Sequence, residues 1–228
     1  MPIIDVVMPA FNEAKSIGLV LNEIPRALVR HIVVCDNNST DETATVAKTH
    51  GATVVFQPLR GYGNACLKAL DWISEQNVLP DIVVFLDSDY SDHPDEMFKI
   101  VEPLIINQFD LVIGSRALGN RERGAMQPQQ IFGNWLATTL IRWFYGYHFT
   151  DLGPFRAVTY DALQKINMQD QTFGWTVEMQ VKAAKLKLRC TEVPVQYRRR
   201  VGISKISGTV KGTILAGYKI ILTIFKYI

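Results

Sequence analysis

Short, largely apolar runs alternate with longer amphipathic stretches through the first half of the chain. Residues 3–8 form such a run, ending at Pro9, and residues 31–35, 53–56, 82–86 and 111–114 are four more. Runs of this kind fit strands buried on both faces, because a strand with one wet face would alternate. Between them, apolar residues recur at helical spacing. Ile17, Val20, Leu21 and Ile24 follow a candidate cap at Asn12; residues 43–48, a stretch holding Ala65, Leu67, Ala69, Leu70 and Trp72, and residues 96–106 continue the pattern. Strand and helix thus alternate, predicting an α/β fold with a doubly wound, mostly parallel sheet flanked by helices. Right-handed crossovers put the strand C-termini on one edge, where such folds bind ligands. Asp36, Asp87, Asp89 and Arg116 fall on that rim.

The second half is less regular. Residues 117–130 are polar with two glycines and a proline, and predict a mobile loop. Residues 131–145, 158–166 and 175–186 predict helices. Residues 190–197 predict a strand at which Pro194 marks an edge or bulge. Residues 210–228 close the chain as a helix. No stretch of 18 uncharged apolar residues occurs, so no membrane span is expected.

Composition adds three constraints. Lys and Arg number 24 against 22 Asp and Glu, too even a balance for general nucleic-acid binding. The basic residues are clustered, however: residues 182–226 carry eleven of them against Glu192 alone. Three cysteines, Cys35, Cys66 and Cys190, have no metal-like spacing and point to a reducing compartment. With no leader expected, a cytoplasmic location follows.

The chemistry concentrates in D-S-D at 87–89. Residues two apart in an extended segment point the same way. Asp87 and Asp89 therefore repel unless a cation lies between them. A divalent ion with hard oxygen ligands is the natural partner, and its open positions can hold phosphate oxygens. The competing reading is a pair of loop caps ahead of a helix entering at Pro94. Further along, R-R-R-V-G-I-S-K at 198–205 places Arg198, Arg199, Arg200, Ser204 and Lys205 where arginine forks and a lysine could bind phosphates.

The ordered set P-A-F-N-E, D-N-N-S-T-D, R-G-Y-G-N-A, L-D-S-D, G-S-R, T-D-L-G-P-F-R-A, W-T-V-E and R-R-R-V-G-I-S-K spans residues 9–205. It resembles family 2 glycosyltransferases of GT-A fold, nearest the dolichol- and polyprenyl-phosphate sugar synthases. The resemblance implies inverting transfer from a UDP- or GDP-sugar with Mg²⁺ or Mn²⁺. It implies Asp87 and Asp89 as metal ligands, and Asp151, Asp89 and Arg116 as the catalytic set. Pro9, Phe11, Glu13, Asp36, Gly61, Gly63, Ser88, Arg199, Arg200 and Lys205 would complete the donor site. Asp36 is assigned to the base and Glu13 to the ribose. The R-x-x-G-x-S-K spacing selects Arg199, with Arg200 as substitute. Asp41 is as readily a helix cap as a ligand. Asp151 is the acceptor-side carboxylate, although D-L-G-P-F-R is shorter than the usual spacing, and Glu178 is an alternative acid. The acceptor implied is a lipid phosphate; a soluble or glycan acceptor, a nucleotidyltransferase and a binding module are the alternatives.

Residues 1–209 are read as the catalytic domain and 210–228 as a C-terminal amphipathic helix. Lys211, Lys219 and Lys226 fall within roughly 80° of one another at helical pitch. Ile214, Tyr218, Ile221, Leu222, Phe225 and Ile228 form the opposing stripe. That stripe either lies in the membrane interface, making the protein peripheral at the inner face, or packs on the protein's own core or on a second copy in a homo-oligomer. If the helix is interfacial, a chain ending at Thr209 is expected to stay folded.

Overall fold

Seven strands in the order β3-β2-β1-β4-β6-β5-β7 make one twisted sheet. The computed structural model describes residues 2–106, 108–202 and 210–228, with the backbone alone at 210–214 and 216. The strands are β1 (Ile4–Ala10), β2 (His31–Asp36), β3 (Thr53–Phe56), β4 (Ile82–Phe85), β5 (Leu111–Ser115), β6 (Arg156–Thr159) and β7 (Cys190–Pro194). β1 pairs in parallel with both β2 and β4. Consecutive residues explain the continuous apolar runs. Val7, Val83 and Phe85 enter one core, while Val6, Met8, Val84 and Leu86 enter the other on the opposite face. The helices are α1 (Ile17–Glu23), α2 (Thr43–Thr49), α3 (Tyr62–Ser74), α4 (Met97–Ile105), α5 (Pro128–Tyr145), α6 (Tyr160–Ile166), α7 (Trp175–Lys185) and α8 (Val210–Lys226).

Three local expectations change. Residues 158 and 159 belong to β6, which runs antiparallel between β4 and β5; the helix starts only at Tyr160. Asn12 does not cap α1. It takes a left-handed φ of 53°, and its side-chain oxygen accepts from Thr40 N–H at 2.8 Å, tying the β1 loop to the β2 loop. Residues 117–127 are held to the strand neighbour: Glu122 N–H donates to Tyr197 O at 2.8 Å, and Arg199 N–H donates to the Glu122 carboxylate at 2.8 Å. β7 is an edge strand, which accommodates Pro194.

α8 shares the core of residues 1–209. Ile224 is fully buried within it. Tyr227 Oη donates to Glu178 at 2.6 Å, Lys185 Nζ donates to Tyr227 O at 2.7 Å, and Lys219 pairs with Asp170 at 2.9 Å. Ending the chain at Thr209 would take Ile224 out of the core and remove partners of Glu178 and Asp170, so the truncated chain is not expected to stay fully folded. The sequence stripe of Tyr218, Ile221, Leu222, Phe225 and Ile228 faces outward instead.

The two glycines of R-G-Y-G are required by a close approach of the protein's own backbone. A Cβ on Gly63 would lie 1.8 Å from the Asp170 carbonyl, and one on Gly61 would lie 2.1 Å from that of Gln171. Their role is to admit segment 170–172 against the start of α3, where Asn64 N–H donates to Gln171 O at 2.9 Å. Gly63→Ala is therefore expected to lower stability by about 1–3 kcal/mol through overpacking, read as a shift of the urea midpoint. An unchanged midpoint would contradict this close approach.

Candidate active site

The ends of β1 and β4, the loop before α3 and segment 172–173 enclose a cavity of about 430 Å³. Pro9 comes from the end of β1, Phe11 and Glu13 from the chain after it, Arg60 and Gly61 from the loop, Tyr62 from the start of α3, Asp87–Asp89 from the chain after β4, and Arg200 from the chain after β7. Of the sequence candidates, Pro9, Phe11, Glu13, Gly61, Asp87, Ser88, Asp89 and Arg200 meet here. The Arg60 guanidinium lies 3.4 Å from the Phe11 ring centroid, so one wall is a flat, stacked pair. The Ser88 hydroxyl donates to Pro9 O at 2.9 Å and locks the β4 end to the β1 end.

The acidic pair behaves as like charges in a confined space. Tyr62 Oη donates to Asp87 at 2.9 Å. Burial, and then Asp89 beside it, push the Asp87 carboxyl up to about 6. Asp89 is buried and accepts from Ser91 N–H at 2.9 Å. Its other oxygen meets Arg200 Nη1 at 3.1 Å, while Arg200 Nη2 meets Glu13 at 3.1 Å. Asp92, buried three residues on, has no hydrogen-bond partner for either oxygen; burial, then Asp87 and Asp89, hold its carboxyl well above the usual range. This surplus of hard oxygen donors fits a divalent cation. No group of three His, Cys, Asp or Glu among the described residues is arranged to hold a metal by itself. Two carboxylates thus suit an ion that takes its remaining ligands from water and phosphate.

Several assignments from sequence move. The β2 contribution to the cavity is Asn37, not Asp36. Asp36 accepts from Ser39 N–H at 3.1 Å within its own turn. The Asn37 side chain donates to Gln57 O and Leu59 O and accepts from Gly61 N–H at 2.8 Å, so it fixes the loop carrying Arg60. Asp41 accepts from Thr43 N–H at 3.0 Å in the turn that leads into α2. Gly63 lies inside α3, away from the cavity.

The arginine run splits three ways. Arg198 pairs with Glu23 at 2.6 Å and stacks 3.3 Å from the Tyr90 ring, a structural role. Arg199, favoured by spacing, donates to Arg123 O at 2.8 Å on the outer surface. Only Arg200 enters the cavity. An extended chain alternates its sides, which separates neighbours in sequence. Ser204 and Lys205 lie outside the described residues.

A second cavity of about 310 Å³ adjoins the first across Asp87, Asp89 and Arg200, and is further lined by Arg116, Asn134 and Tyr197. Here Arg116 is clasped by Asp151. Its backbone N–H and Nε donate to Oδ2 at 2.7 and 2.8 Å, and Nη2 donates to Oδ1 at 2.7 Å. Burial alone would raise the Asp151 carboxyl, but the Arg116 guanidinium holds it below the usual range. It is a poor proton acceptor and a firm strut. Glu178, the alternative acid, is fully buried. It accepts from Gln169 N–H, from Asp170 N–H at 2.6 Å and from Tyr227 Oη, and pairs with Lys182 at 2.8 Å. It clamps α7, α8 and segment 169–170 together. Sequence reasoning missed Asn37, Arg60, Tyr62, Phe173 and Tyr197 in these walls. Arg60 and Tyr62 flank Gly61 in a motif already singled out; Phe173 and Tyr197 carry no local signal.

The model of the family described as "Glycosyl transferase family 2" matches residues 5–167. A glycosyltransferase of Mycobacterium tuberculosis is 35% identical over 216 residues, covering 93% of this chain and 94% of its own. An undecaprenyl-phosphate mannosyltransferase of Micrococcus luteus is 28% identical over 218 residues, covering 90% and 88%. Among solved structures, glucosyl-3-phosphoglycerate synthase of M. tuberculosis, in complex with Mn²⁺, UDP-glucose and phosphoglyceric acid, superposes with a TM-score of 0.77 at 23% identity, over 99% of this chain and 79% of that one. That likeness shows a shared GT-A fold.

Proposed function

The chain belongs to glycosyl transferase family 2, and on that premise we propose that it is a metal-dependent transferase moving a sugar from a UDP- or GDP-sugar to a phosphate-bearing acceptor, a polyprenyl phosphate foremost. The observation that carries this reading is the cavity at the ends of β1 and β4, with a stacked wall at one end and the Asp87, Asp89 and Arg200 cluster at the other. The stacked wall suits a nucleobase. Asp87 and Asp89 would hold Mg²⁺ or Mn²⁺, which when bound supplies positive charge against the leaving diphosphate. Arg200 turns from Glu13 and Asp89 towards the diphosphate oxygens. Tyr62 orients Asp87, and Ser88 keeps the carboxylate loop against β1.

The acceptor would sit in the adjoining cavity beside Arg116 and Tyr197, across Asp89 from the donor. A phosphate nucleophile is already ionised and asks for no strong base, which suits a site where Asp151 and Glu178 are both engaged elsewhere. Asp151 then sets the direction of Arg116. The lipid acceptor is favoured by the M. luteus relative. Phosphoglycerate is the second reading, prompted by the substrate bound in the structural neighbour. No helix among the described residues is long and apolar enough to cross a membrane, so a lipid acceptor would be met at the bilayer surface.

The test is transfer from UDP- and GDP-sugars, with Mn²⁺, to polyprenyl phosphate or to phosphoglycerate, with products read by mass spectrometry. Lipid-linked sugar is the expected product. Glycosylated phosphoglycerate alone would move the assignment to the soluble acceptor, and no turnover of any donor would overturn it. Arg200→Ala is expected to weaken donor binding about 10- to 100-fold through loss of a charged hydrogen-bond donor to phosphate. Unaltered donor affinity by calorimetry would remove Arg200 from the diphosphate site.

A further inference from the structure

A third cavity, of about 400 Å³, opens between segment 117–126, α5 and residues 148–151. Neither the donor nor the acceptor needs it. Arg121, Arg142 and His148 line it. The Arg121 guanidinium donates to the Met126 sulfur at 3.4 Å. None of the three pairs with a carboxylate there. Asp151, on the floor, is almost wholly buried and committed to Arg116. Nearby Glu192 accepts from the Thr150 and Asp151 N–H groups. The cavity therefore carries unbalanced positive charge.

Its mouth is apolar. Trp135 and Trp143 both line it, and they are 59% and 75% exposed. The apolar surface continues along α5 through Phe132 and Phe144. It crosses to α8 where Phe144 meets Phe225 edge to face at 5.1 Å, and it goes on through Leu222 and Tyr218. The sequence of α5 and α8 contains no Asp or Glu at all. Contiguous exposed aromatics beside arginines and lysines, without a carboxylate, match the headgroup level of an anionic bilayer.

We propose that this cavity binds the phosphate of a membrane lipid, with Arg121 and Arg142 on the anion and the α5–α8 face lying among the acyl chains. The site is separate from the donor cavity. It deepens the lipid-acceptor reading, on which it rests, by giving the protein a docking surface continuous with the acceptor side, since Met126 and Asn134 line both cavities.

The test uses the full chain without donor, sedimented with vesicles of phosphatidylcholine alone or mixed with phosphatidylglycerol. Binding is expected only to the mixed vesicles. The double variant Arg121→Gln/Arg142→Gln is expected to lose about thirtyfold in affinity, the share of two basic residues at an anionic surface. Trp143→Ala is expected to weaken binding as well. Metal-dependent donor hydrolysis should persist in all variants, since none touches the donor cavity, and this also reports folding. If the intact chain ignores anionic vesicles, the proposal fails. It fails equally if inorganic phosphate binds and vesicles do not, making this a soluble-phosphate site, or if the same variants abolish a dimer formed without lipid. Absent donor hydrolysis in the wild-type chain, with vesicle binding intact, would instead count against the sugar-transfer reading.

Discussion

Asp89→Ala is expected to lower sugar transfer by about 10²- to 10³-fold, the scale of losing one preorganised electrostatic contact to a developing charge. Asp89 stands at the meeting point of the two cavities and holds one of the two carboxylates available for a cation at the end of β4. Its removal also deprives Ser91 N–H of an acceptor and frees Arg200 from one of its two carboxylates. The first of these costs stability, by about 1–3 kcal/mol. It does not unfold the chain, because neither core is touched. Transfer assays beside a urea melt separate the two effects. Activity within a few-fold of wild type would remove Asp89 from the reaction.

The second large effect is on stability. Arg116 and Asp151 form a three-bonded pair, both nearly buried. Removing one partner strands the other's charge in the protein, at a cost of about 3–5 kcal/mol. Arg116→Ala and Asp151→Ala are each expected to reach that range in denaturant unfolding. Arg116→Met with Asp151→Leu, which removes both charges and keeps volume, should cost far less. Were Asp151 instead a free general base, Asp151→Ala would depress turnover with little change in unfolding. Activity alone cannot tell a base from a strut; the double replacement can.

The parallel half of the fold was legible because its strands are buried on both faces, a condition that leaves an unmistakable apolar run. β6 was not. It has four residues and begins with Arg156, whose guanidinium is fully buried and donates to the carbonyls of Leu152, Gly153 and Thr176. A strand led by a buried arginine does not look like one, and the burial pushes that guanidinium down to about 10. The D-S-D pair was readable from its spacing alone, since an i, i+2 relation at a strand end holds whatever surrounds it. The arginine run was not, because which of three neighbours enters a cavity depends on partners far off in sequence: Glu23, Glu122 or Glu13. The same holds for Glu178. Its four-way clamp is completed by Tyr227, just past α8 and 49 residues away. Helical periodicity found an apolar stripe on α8 but could not say which way it faced; the buried side is the one carrying Ile224 and Tyr227.

The central claim is that a nucleoside diphosphate and a divalent cation occupy the β1–β4 cavity together, joined through Asp89. Titration of Mn²⁺ followed by electron paramagnetic resonance tests this without relying on turnover. Mn²⁺ should bind weakly to the protein alone and much more tightly once UDP or GDP is present, and Asp89→Ala should abolish the gain. Mn²⁺ binding that is indifferent to the nucleotide, or a gain that survives Asp89→Ala, would contradict the account.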